Sequence, residues 1–527
     1  MRGNDRIGYA VALAAMVVMG GLEAPARGQA GTEPADSAQI PVRFALDQPG
    51  HVTLVVEDEA GRRVHNLVSN TWFEAGEHVL TWDGYDVGDK HGKERKFDVE
   101  RHLVEPAVYQ VRGLRRGEMG LKYIASAQAP GSPPWLTADR SGAWLADHTP
   151  PSGMLFLPAG SPHGDQPQML VSAPTGEAGH SIMFLNMDGT KLWGGKIRGW
   201  KSGGVNARDT GEQASGRHYA YSLVENTRLY GLRRGVDDPR QMYDQLMQID
   251  LPEAPEDAED WNWLEVIARR GMAAHNRVLI ISFTQANRLL VVQLPDEGRK
   301  AERVATIELD SPRGLAFDSR GRLYVVSGKR VLRYDDARLA EGELGRPRVV
   351  IGPGELVDPG RLIIAPDDRL YVADLGERHQ VRVYNAMGRL SHTIGKPGGP
   401  QHGLYDETRM ARPAGMAVDD RGRLWVAELD YGPKRISRWD AQTGAFDRAW
   451  YGPPKYGGGG QPDPRNPARH FYSSGLQGIE FTIDLENDTS RPRSIYWRKG
   501  HSPGRCPGTS VYHGGRHYMV NSFYGSS

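Results

Sequence analysis

The chain has 527 residues, with 65 basic and 65 acidic side chains and a formal net charge of zero. A chain of this length exceeds what one small hydrophobic core organises, so two or more folded units are expected. The balanced charge argues against a general binder of nucleic acid or anionic membranes, because such proteins need a basic surface. The single cysteine, Cys506, excludes an intrachain disulfide.

The N-terminal residues are typical of an export signal. A basic segment with Arg2 and Arg6 precedes an uncharged stretch that ends at Leu22, and small residues suited to cleavage follow. We therefore assign residues 1–30 to a cleaved signal peptide and residues 31–39 to a linker. No later segment is long and apolar enough to span a bilayer. The protein is expected in the periplasm, at the cell surface or outside the cell, and the sequence does not distinguish these compartments.

Residues 40–117 contain short alternating strands separated by turn residues, a pattern typical of a β-sandwich. The segments VTLVVEDEAGRRVHNL, AGEHVLTWDGYDVGDKHG and PAVYQVRG resemble the FlgD-type immunoglobulin-like domain, through residues such as Gly61, Gly76, Trp82 and Tyr109. A charged insertion near residues 93–105 departs from the family pattern. The resemblance implies a structural or adhesion module without catalytic residues, in which Trp82 is a core residue.

Three related segments follow, beginning at Ser311, Asp358 and Ala411. They read SPRGLAFDSRGRLYVVSGKRVLRYD, DPGRLIIAPDDRLYVADLGERHQVRVYN and ARPAGMAVDDRGRLWVAELDYGPKRISRWD. Repeats of about 40–50 residues made of short strands are typical of radial β-architectures. The segments resemble NHL repeats, which implies that residues 118–527 form an NHL-type β-propeller.

The expected fold is therefore all-β, with an N-terminal Ig-like β-sandwich followed by a propeller of six to eight blades. Weaker units, near Trp135, Met169, His218 and Val278, bring the recognisable units to about seven. The hairpin-like segment 510–523 resembles the opening of a last blade that has no second hairpin. Either the first propeller strands complete this blade or the chain stops short of closure, and the sequence leaves both alternatives open.

Candidate ligand-binding residues lie where the inner strands begin and where the second strands end, because these positions surround one mouth of a propeller channel. They are Arg313, Arg361, Asp374, His379 and Glu428. Arginines and carboxylates converging on a channel suit a polar, anionic small molecule or a glycan. The structural alternative is that the carboxylates cap neighbouring loops and that the arginines pair with carboxylates.

We predict no catalytic residues, no metal ligands and no cofactor, since the sequence lacks His-Glu-x-x-His, Gly-x-Ser-x-Gly, a Walker loop and a dinucleotide fingerprint. The expected function is an exported, non-catalytic binding or scaffold protein whose propeller mouth engages a protein, a glycan or a small polar molecule. The alternative is a metal-dependent hydrolase or lyase, like the lactonases and amidating lyases that this fold resembles, with calcium or zinc in the channel. The starts of the inner strands offer Arg, Gly and Ala where such a metal would need ligands.

Overall fold

The computed structural model describes residues 15–18, 39–90, 99–118, 144–160, 165–177, 179–212, 216–236, 241–250, 260–452, 457–463, 466–474, 477–484, 486, 489–498, 507–514 and 516–521. Most of the predicted signal peptide and linker lies outside these residues. The chain divides into two compact units, Met1–Lys122 and Tyr123–Ser527. Strands dominate both units, which confirms the predicted all-β class. No helix among the described residues is long and apolar enough to cross a membrane.

The first unit contains eight described strands, β1 (Ala15–Val18), β2 (Ile40–Leu46), β3 (Gly50–Glu57), β4 (Arg63–Phe73), β5 (Gly76–Trp82), β6 (Asp89–Lys90), β7 (Val99–Glu100) and β8 (Val108–Arg116). One sheet has the order β1-β8-β3-β4, β2 pairs with β5, and β6 pairs with β7. Alternate residues of β2 and β3 are buried, as the period of a strand with one core face requires. Trp82 lies in the shared core at 1% exposure, as predicted, and its Nε1 donates to the Tyr85 carbonyl at 2.9 Å.

The second unit begins with blades 1 to 3. Blade 1 comprises β9 (Gly153–Leu157), β10 (Gln168–Ser172), β11 (Ile182–Asn186) and β12 (Lys191–Gly195). Blade 2 comprises β13 (Gly203–Ala207), β15 (His218–Val224), β16 (Arg228–Arg233) and β17 (Tyr243–Gln248), and the short strand β14 (Asp209–Thr210) follows β13. The helix α1 (Asp260–Arg269) precedes blade 3, which comprises β18 (Met272–His275), β19 (Val278–Phe283), β20 (Arg288–Gln293) and β21 (Glu302–Glu308). β14 extends blade 3 by pairing parallel to β18.

Blades 4 to 6 carry the three clear sequence repeats. Blade 4 comprises β22 (Pro312–Phe317), β23 (Leu323–Ser327), β24 (Arg330–Tyr334) and β25 (Pro347–Ile351), with the 3-10 helix Leu339–Glu341 before β25. Blade 5 comprises β26 (Pro359–Ile364), β27 (Leu370–Asp374), β28 (Gln380–Tyr384) and β29 (Leu390–Ile394). After β30 (Gly403–Leu404), blade 6 comprises β31 (Pro413–Val418), β32 (Arg423–Glu428), β33 (Arg435–Asp440) and β34 (Phe446–Tyr451).

The six blades form a closed ring. Each inner strand contacts the next in the order β9, β13, β18, β22, β26 and β31, and β31 contacts β9. An apolar cluster fills each of the interfaces between adjacent blades, including that between blade 6 and blade 1. Ring closure gives each blade face an apolar neighbour, so packing between the blades holds the propeller closed without a disulfide.

Glycines allow the inner strands to approach closely. A Cβ at Gly415 would lie 2.6 Å from the Ser152 carbonyl oxygen and 2.7 Å from the Met154 nitrogen, across the interface between blades 6 and 1. A Cβ at Gly314 would lie 2.3 Å from the Leu362 nitrogen of the next blade. The glycine of the repeated Pro-x-Gly pattern is therefore required by packing of one inner strand against its neighbour.

Tryptophans join the last blade to the first. The rings of Trp425 and Trp450 stack with centroids 4.8 Å apart and an interplanar angle of 5°. The Trp450 Nε1 donates to the Asp188 carbonyl at 3.1 Å, and the Trp144 Nε1 donates to the Gly189 carbonyl at 3.0 Å. The Trp450 bond crosses from blade 6 to blade 1, whereas the Trp144 bond lies on the blade 1 side. The rings fill the interface between these blades, so apolar packing and one indole hydrogen bond join them.

The C-terminal strands do not belong to the ring of six blades. They are β35 (Gly457–Asp463), β36 (Asn466–Ser474), β37 (Gln477–Asp484), β38 (Thr489–Arg498), β39 (Pro507–His513) and β40 (Arg516–Asn521). Strands β35 to β38 form one sheet with β30, while β39 and β40 form a separate hairpin. The predicted terminal hairpin therefore exists, but it does not open a further blade, because the six preceding blades already close the ring.

We predict that Gly415→Ala destabilises the propeller by about 1–3 kcal/mol, since the new methyl group overlaps the backbone of blade 1. The matched control is Gly352→Ala, because a Cβ at Gly352 meets no atom within 4 Å. Thermal unfolding followed by circular dichroism checks both variants. Equal melting temperatures for the two variants would contradict closure through this glycine contact.

Candidate functional site

The helix α1 covers the end of the channel at which the inner strands begin. It precedes β18 of blade 3 but contacts β26 and β31 of blades 5 and 6. Its apolar face, with Leu264 and Ala268, packs in one cluster with Leu375, Ala414, Leu429 and Tyr431. On the other side, the Ile267 side chain lies against Gly204 of blade 2, where a Cβ would be 2.9 Å away. The helix thus spans the predicted ligand mouth.

Arg361 crosses the channel beneath α1. Its Nη2 donates to the Gly204 carbonyl at 2.7 Å and to the Ile267 carbonyl at 2.9 Å. Blade 2 lies opposite blade 5 in a ring of six, so this side chain connects the two walls and the C-terminal turn of the helix. Arg361 is 7% exposed, and burial lowers the pKa of its guanidinium to about 9. Its polar contacts are with protein carbonyls.

Arg313 belongs to an ion-pair network that anchors α1. Its Nη1 lies 2.6 Å from the Asp358 Oδ1, and the Arg269 Nη2 lies 2.6 Å from the Asp358 Oδ2. Arg269 also pairs with Glu265 at 2.7 Å, and Arg412 pairs with Glu265 at 2.6 Å. The helix therefore contributes Glu265 and Arg269, while blades 4, 5 and 6 contribute the other three charges.

The carboxylates of this network are held ionised. Burial alone would raise the pKa of Asp358, but hydrogen bonds and charges from Arg269 and Arg313 outweigh burial and lower that pKa below its ordinary value. The same balance holds for Glu265, whose pKa is lowered by Arg412 and Arg269 against the effect of burial. Both carboxylates thus stabilise the covered mouth in their charged form.

Asp374 caps the loop before β26. Its carboxylate accepts hydrogen bonds from the Val357 nitrogen at 3.1 Å and the Asp358 nitrogen at 2.8 Å, and it pairs with Arg378 at 3.1 Å. The nearby His379 Nδ1 accepts from the Arg412 nitrogen at 2.9 Å. These contacts match the structural interpretation of the acidic residue that ends the second strand.

Glu428 occupies the equivalent position in blade 6 and is fully buried. It accepts hydrogen bonds from the Ala411 nitrogen at 2.7 Å and the Ser437 Oγ at 2.6 Å, and the Arg435 Nε lies 3.1 Å away. Burial would lower the pKa of Arg435, but the charge of Glu428 outweighs burial and raises it. The pair ties the loop before β31 to the third strand of the blade.

The mouth does not suit a metal ion. Arg361 shares it with Arg270, which is fully buried, lies 4.3 Å over the Phe283 ring and has its pKa lowered to about 9 by burial and by the charge of Arg361. Two guanidinium groups repel a dication, and the first residues of the described inner strands bring no set of carboxylates or imidazoles to offset that repulsion. We therefore derive no chemistry from a metal in the channel.

A second polar group lies at the rim of blade 1. Asp147 and His148 precede β9, and Glu177 lies in the loop between β10 and β11. One ligand atom from each residue lies within 4.8 Å of the others. The His148 Nδ1 is 3.5 Å from the Asp147 Oδ2, and its Nε2 is 3.6 Å from the Glu177 Oε2. We call this set the rim cluster.

Trp200 and the backbone support the rim cluster. The Trp200 ring stacks on His148 with centroids 6.3 Å apart and an angle of 28°, yet Trp200 remains 55% exposed. The Glu177 nitrogen donates to the Asp147 Oδ1 at 2.7 Å, which links the two loops. The Lys434 Nζ donates to the Ala146 carbonyl at 2.9 Å and also to the Asp147 carbonyl.

The five residues that the sequence analysis placed at the mouth lie at this end of the propeller, and their described contacts are with other protein groups. They are Arg313, Arg361, Asp374, His379 and Glu428. The sequence analysis missed the rim cluster. Trp-Leu-Ala-Asp, ending at Asp147, has the pattern of the end of a second strand, whereas residues 144–152 form no strand. The adjacent residues Asp147 and His148 were the sequence signal that could have indicated this cluster.

Comparison with known proteins gives structural neighbours only. No family model matches the sequence, and no curated protein matches it. A catalytically inactive virginiamycin B lyase from Staphylococcus aureus with quinupristin is 14% identical, with a TM-score of 0.35 over 63% of this chain and 93% of the lyase. A gluconolactonase from Xanthomonas campestris is 17% identical, with a TM-score of 0.31 over 58% of this chain and 95% of that protein. A nidogen/laminin complex gives 14% identity and a TM-score of 0.31 over 51% of this chain and 92% of the matched chain.

These neighbours are β-propeller-like proteins. Their identities and TM-scores are too low for the activities in their names to carry an argument about this chain.

The mouth network predicts acid sensitivity. Because the pKa values of Asp358 and Glu265 are lowered in the fold, their stabilising effect is complete above the unfolded values, near about pH 4, and is lost as pH falls through the folded values. Asp358→Asn should lower the free energy of unfolding by about 1–3 kcal/mol at pH 7. It should also reduce the further decrease in stability below about pH 4.

Melting temperatures measured from pH 7 to pH 3 check this prediction. The control is the exposed Asp420→Asn, which should follow the unmodified protein at every pH. An Asp358→Asn profile parallel to that of the unmodified protein would contradict a stabilising role for the network.

Proposed function

We propose that this protein is an exported, non-catalytic binding protein that engages its ligand at the rim of blade 1. One observation carries the proposal: α1 and Arg361 fill the channel mouth with groups that already bind one another. A propeller that binds or transforms its ligand in the channel needs that mouth open. At the same end, the exposed indole of Trp200 lies beside the rim cluster.

The ligand class that suits this rim is a glycan. Trp200 presents a flat apolar ring that is 55% exposed. The same loop carries Arg198, which pairs with Glu225 at 3.0 Å, and Lys201, whose Nζ lies 3.4 Å from the Thr175 Oγ1. A sugar ring offers an apolar face for stacking and a rim of hydroxyl groups for hydrogen bonds, which matches an aromatic ring surrounded by charged side chains.

The proposal includes export from the cytoplasm, NHL-type repeats in the propeller and a FlgD-type first unit. Export to the periplasm, the cell surface or the medium is supported by the basic start, the uncharged stretch to Leu22 and the small residues after it. The Pro-x-Gly and Gly-Arg-Leu patterns support NHL-type repeats, and the Trp82 segment supports a FlgD-type first unit. The zero net charge disfavours nucleic acid as the partner.

The alternative of a metal-dependent hydrolase or lyase ranks second. Such an enzyme would hold its ion in the channel among inward-facing ligands. The described mouth instead holds two buried guanidinium groups, from Arg270 and Arg361, under a packed helix. No observation at the channel favours hydrolysis or elimination chemistry.

A glycan array, followed by titration calorimetry of the best ligand, tests the proposal. Trp200→Ala should weaken binding at least about 30-fold, because removal of a central aromatic contact costs about 2 kcal/mol or more. The matched control is Trp72→Ala, which removes a tryptophan that is 40% exposed in the first unit. Equal affinity of the Trp200→Ala variant, or no glycan retained by the unmodified protein, would contradict the proposal.

A further inference from the structure

We infer that Asp147, His148 and Glu177, the rim cluster, form a binding site for a divalent transition-metal ion. The inference goes beyond the proposed function and does not require a glycan. It starts from the donor set, which combines one imidazole with two carboxylates, groups that bind zinc and related ions in proteins.

The spacing of the three side chains suits a single small ion. Zinc binds nitrogen and oxygen ligands at about 2.0–2.2 Å, which places ligand atoms about 3.0–3.5 Å from one another. The His148 Nδ1 lies 3.5 Å from the Asp147 Oδ2, and the His148 Nε2 lies 3.6 Å from the Glu177 Oε2. Only one of these nitrogens can bind a given ion, so the carboxylate on the other side must turn towards it. One ligand atom from each residue already lies within 4.8 Å of the others, which keeps the required movement to a side-chain adjustment. Glu177, whose side chain is 49% exposed, is free to make that movement.

The charges of the cluster also favour a cation. Asp147 and Glu177 bring two carboxylates to one place. Two lysines lie close by, but the described hydrogen bonds of their amino groups go to backbone carbonyls: Lys196 to Glu177, and Lys434 to Ala146 and Asp147. A dication between the carboxylates would offset their repulsion more directly than these lysines do.

The site is held in place by its surroundings. The side chain of His148 is 12% exposed, and Trp200 stacked on its ring fixes the ring plane. The Glu177 loop is pressed against the Asp147 segment, since a Cβ at Gly179 would lie 2.3 Å from the Leu145 carbonyl oxygen and 3.0 Å from the Asp147 nitrogen. Ligand orientation by such neighbours is typical of metal sites in proteins.

The donor set selects zinc-like ions over calcium. Calcium takes six to eight oxygen ligands, whereas the described cluster supplies two carboxylates and an imidazole nitrogen. Zinc accepts three protein ligands and keeps a further position for water or for an oxygen of a bound molecule. That position would lie beside the exposed Trp200 ring.

Titration calorimetry with zinc chloride tests the inference on the full chain, after removal of any affinity tag and of metals by a chelator. We expect one zinc per chain with micromolar or tighter affinity, and much weaker binding of calcium. His148→Ala and Glu177→Gln should each weaken zinc binding at least tenfold. Zinc should also raise the melting temperature of the unmodified protein, because an ion that binds only the folded state stabilises it.

The matched control is His102→Ala in the first unit, which removes an imidazole whose Nδ1 lies 3.4 Å from the Asp86 Oδ2. This variant should keep full zinc affinity. The half-exposed Glu177→Gln keeps the test valid if His148→Ala fails to fold. No stoichiometric zinc binding, or equal affinity in the Glu177→Gln variant, would overturn the inference.

The outcome is separable from that of the proposed function. Zinc binding without any retained glycan would support the metal site and contradict the glycan proposal. Glycan binding that depends on Trp200, in a protein that binds no zinc, would support the proposed function and overturn the metal site.

Discussion

The close approach of the inner strands is the constraint on which the rest of the propeller depends. At Gly314 and Gly415 a single methyl group would overlap the backbone of the neighbouring blade. Strands packed at this distance leave a channel narrow enough for one arginine side chain to reach from blade 5 to blade 2. A helix of ten residues then suffices to cover the opening. The mouth is therefore covered because the ring itself is tight.

The charged residues at this end of the propeller serve two different purposes. Around α1, arginines and carboxylates from the helix and three blades neutralise one another, and buried Asp374 and Glu428 hold the loops that begin the inner strands. These contacts join protein groups to one another around the covered mouth. At the rim of blade 1, the polar atoms of the cluster lie next to an exposed indole, where a molecule from solvent can reach them. On this face, the inward contacts support stability, and the proposed binding sites lie at the exposed rim.

Much of the fold could be predicted because its signals are local. The three related segments that begin at Ser311, Asp358 and Ala411 predicted propeller units, and they form blades 4, 5 and 6. The position of α1 could not be predicted, since a helix that precedes blade 3 packs on blades 5 and 6 through contacts far apart in sequence. The tail imitates blade strands locally, but ring closure between β31 and β9 leaves no place for it in the ring. The location of Arg313 and Arg361 could be predicted from their positions within the repeats. Their partners and the rim cluster could not, because these contacts join residues far apart in sequence.

Amide hydrogen exchange of the helix residues Leu264 to Arg270, measured by mass spectrometry or NMR at neutral pH, tests the central claim most directly. If α1 is packed across the mouth and anchored by Glu265 and Arg269, its amides should exchange as slowly as those of the inner strands β26 and β31. Exchange at the rate of an exposed loop would mean that the mouth opens freely, and it would return the ligand site to the channel.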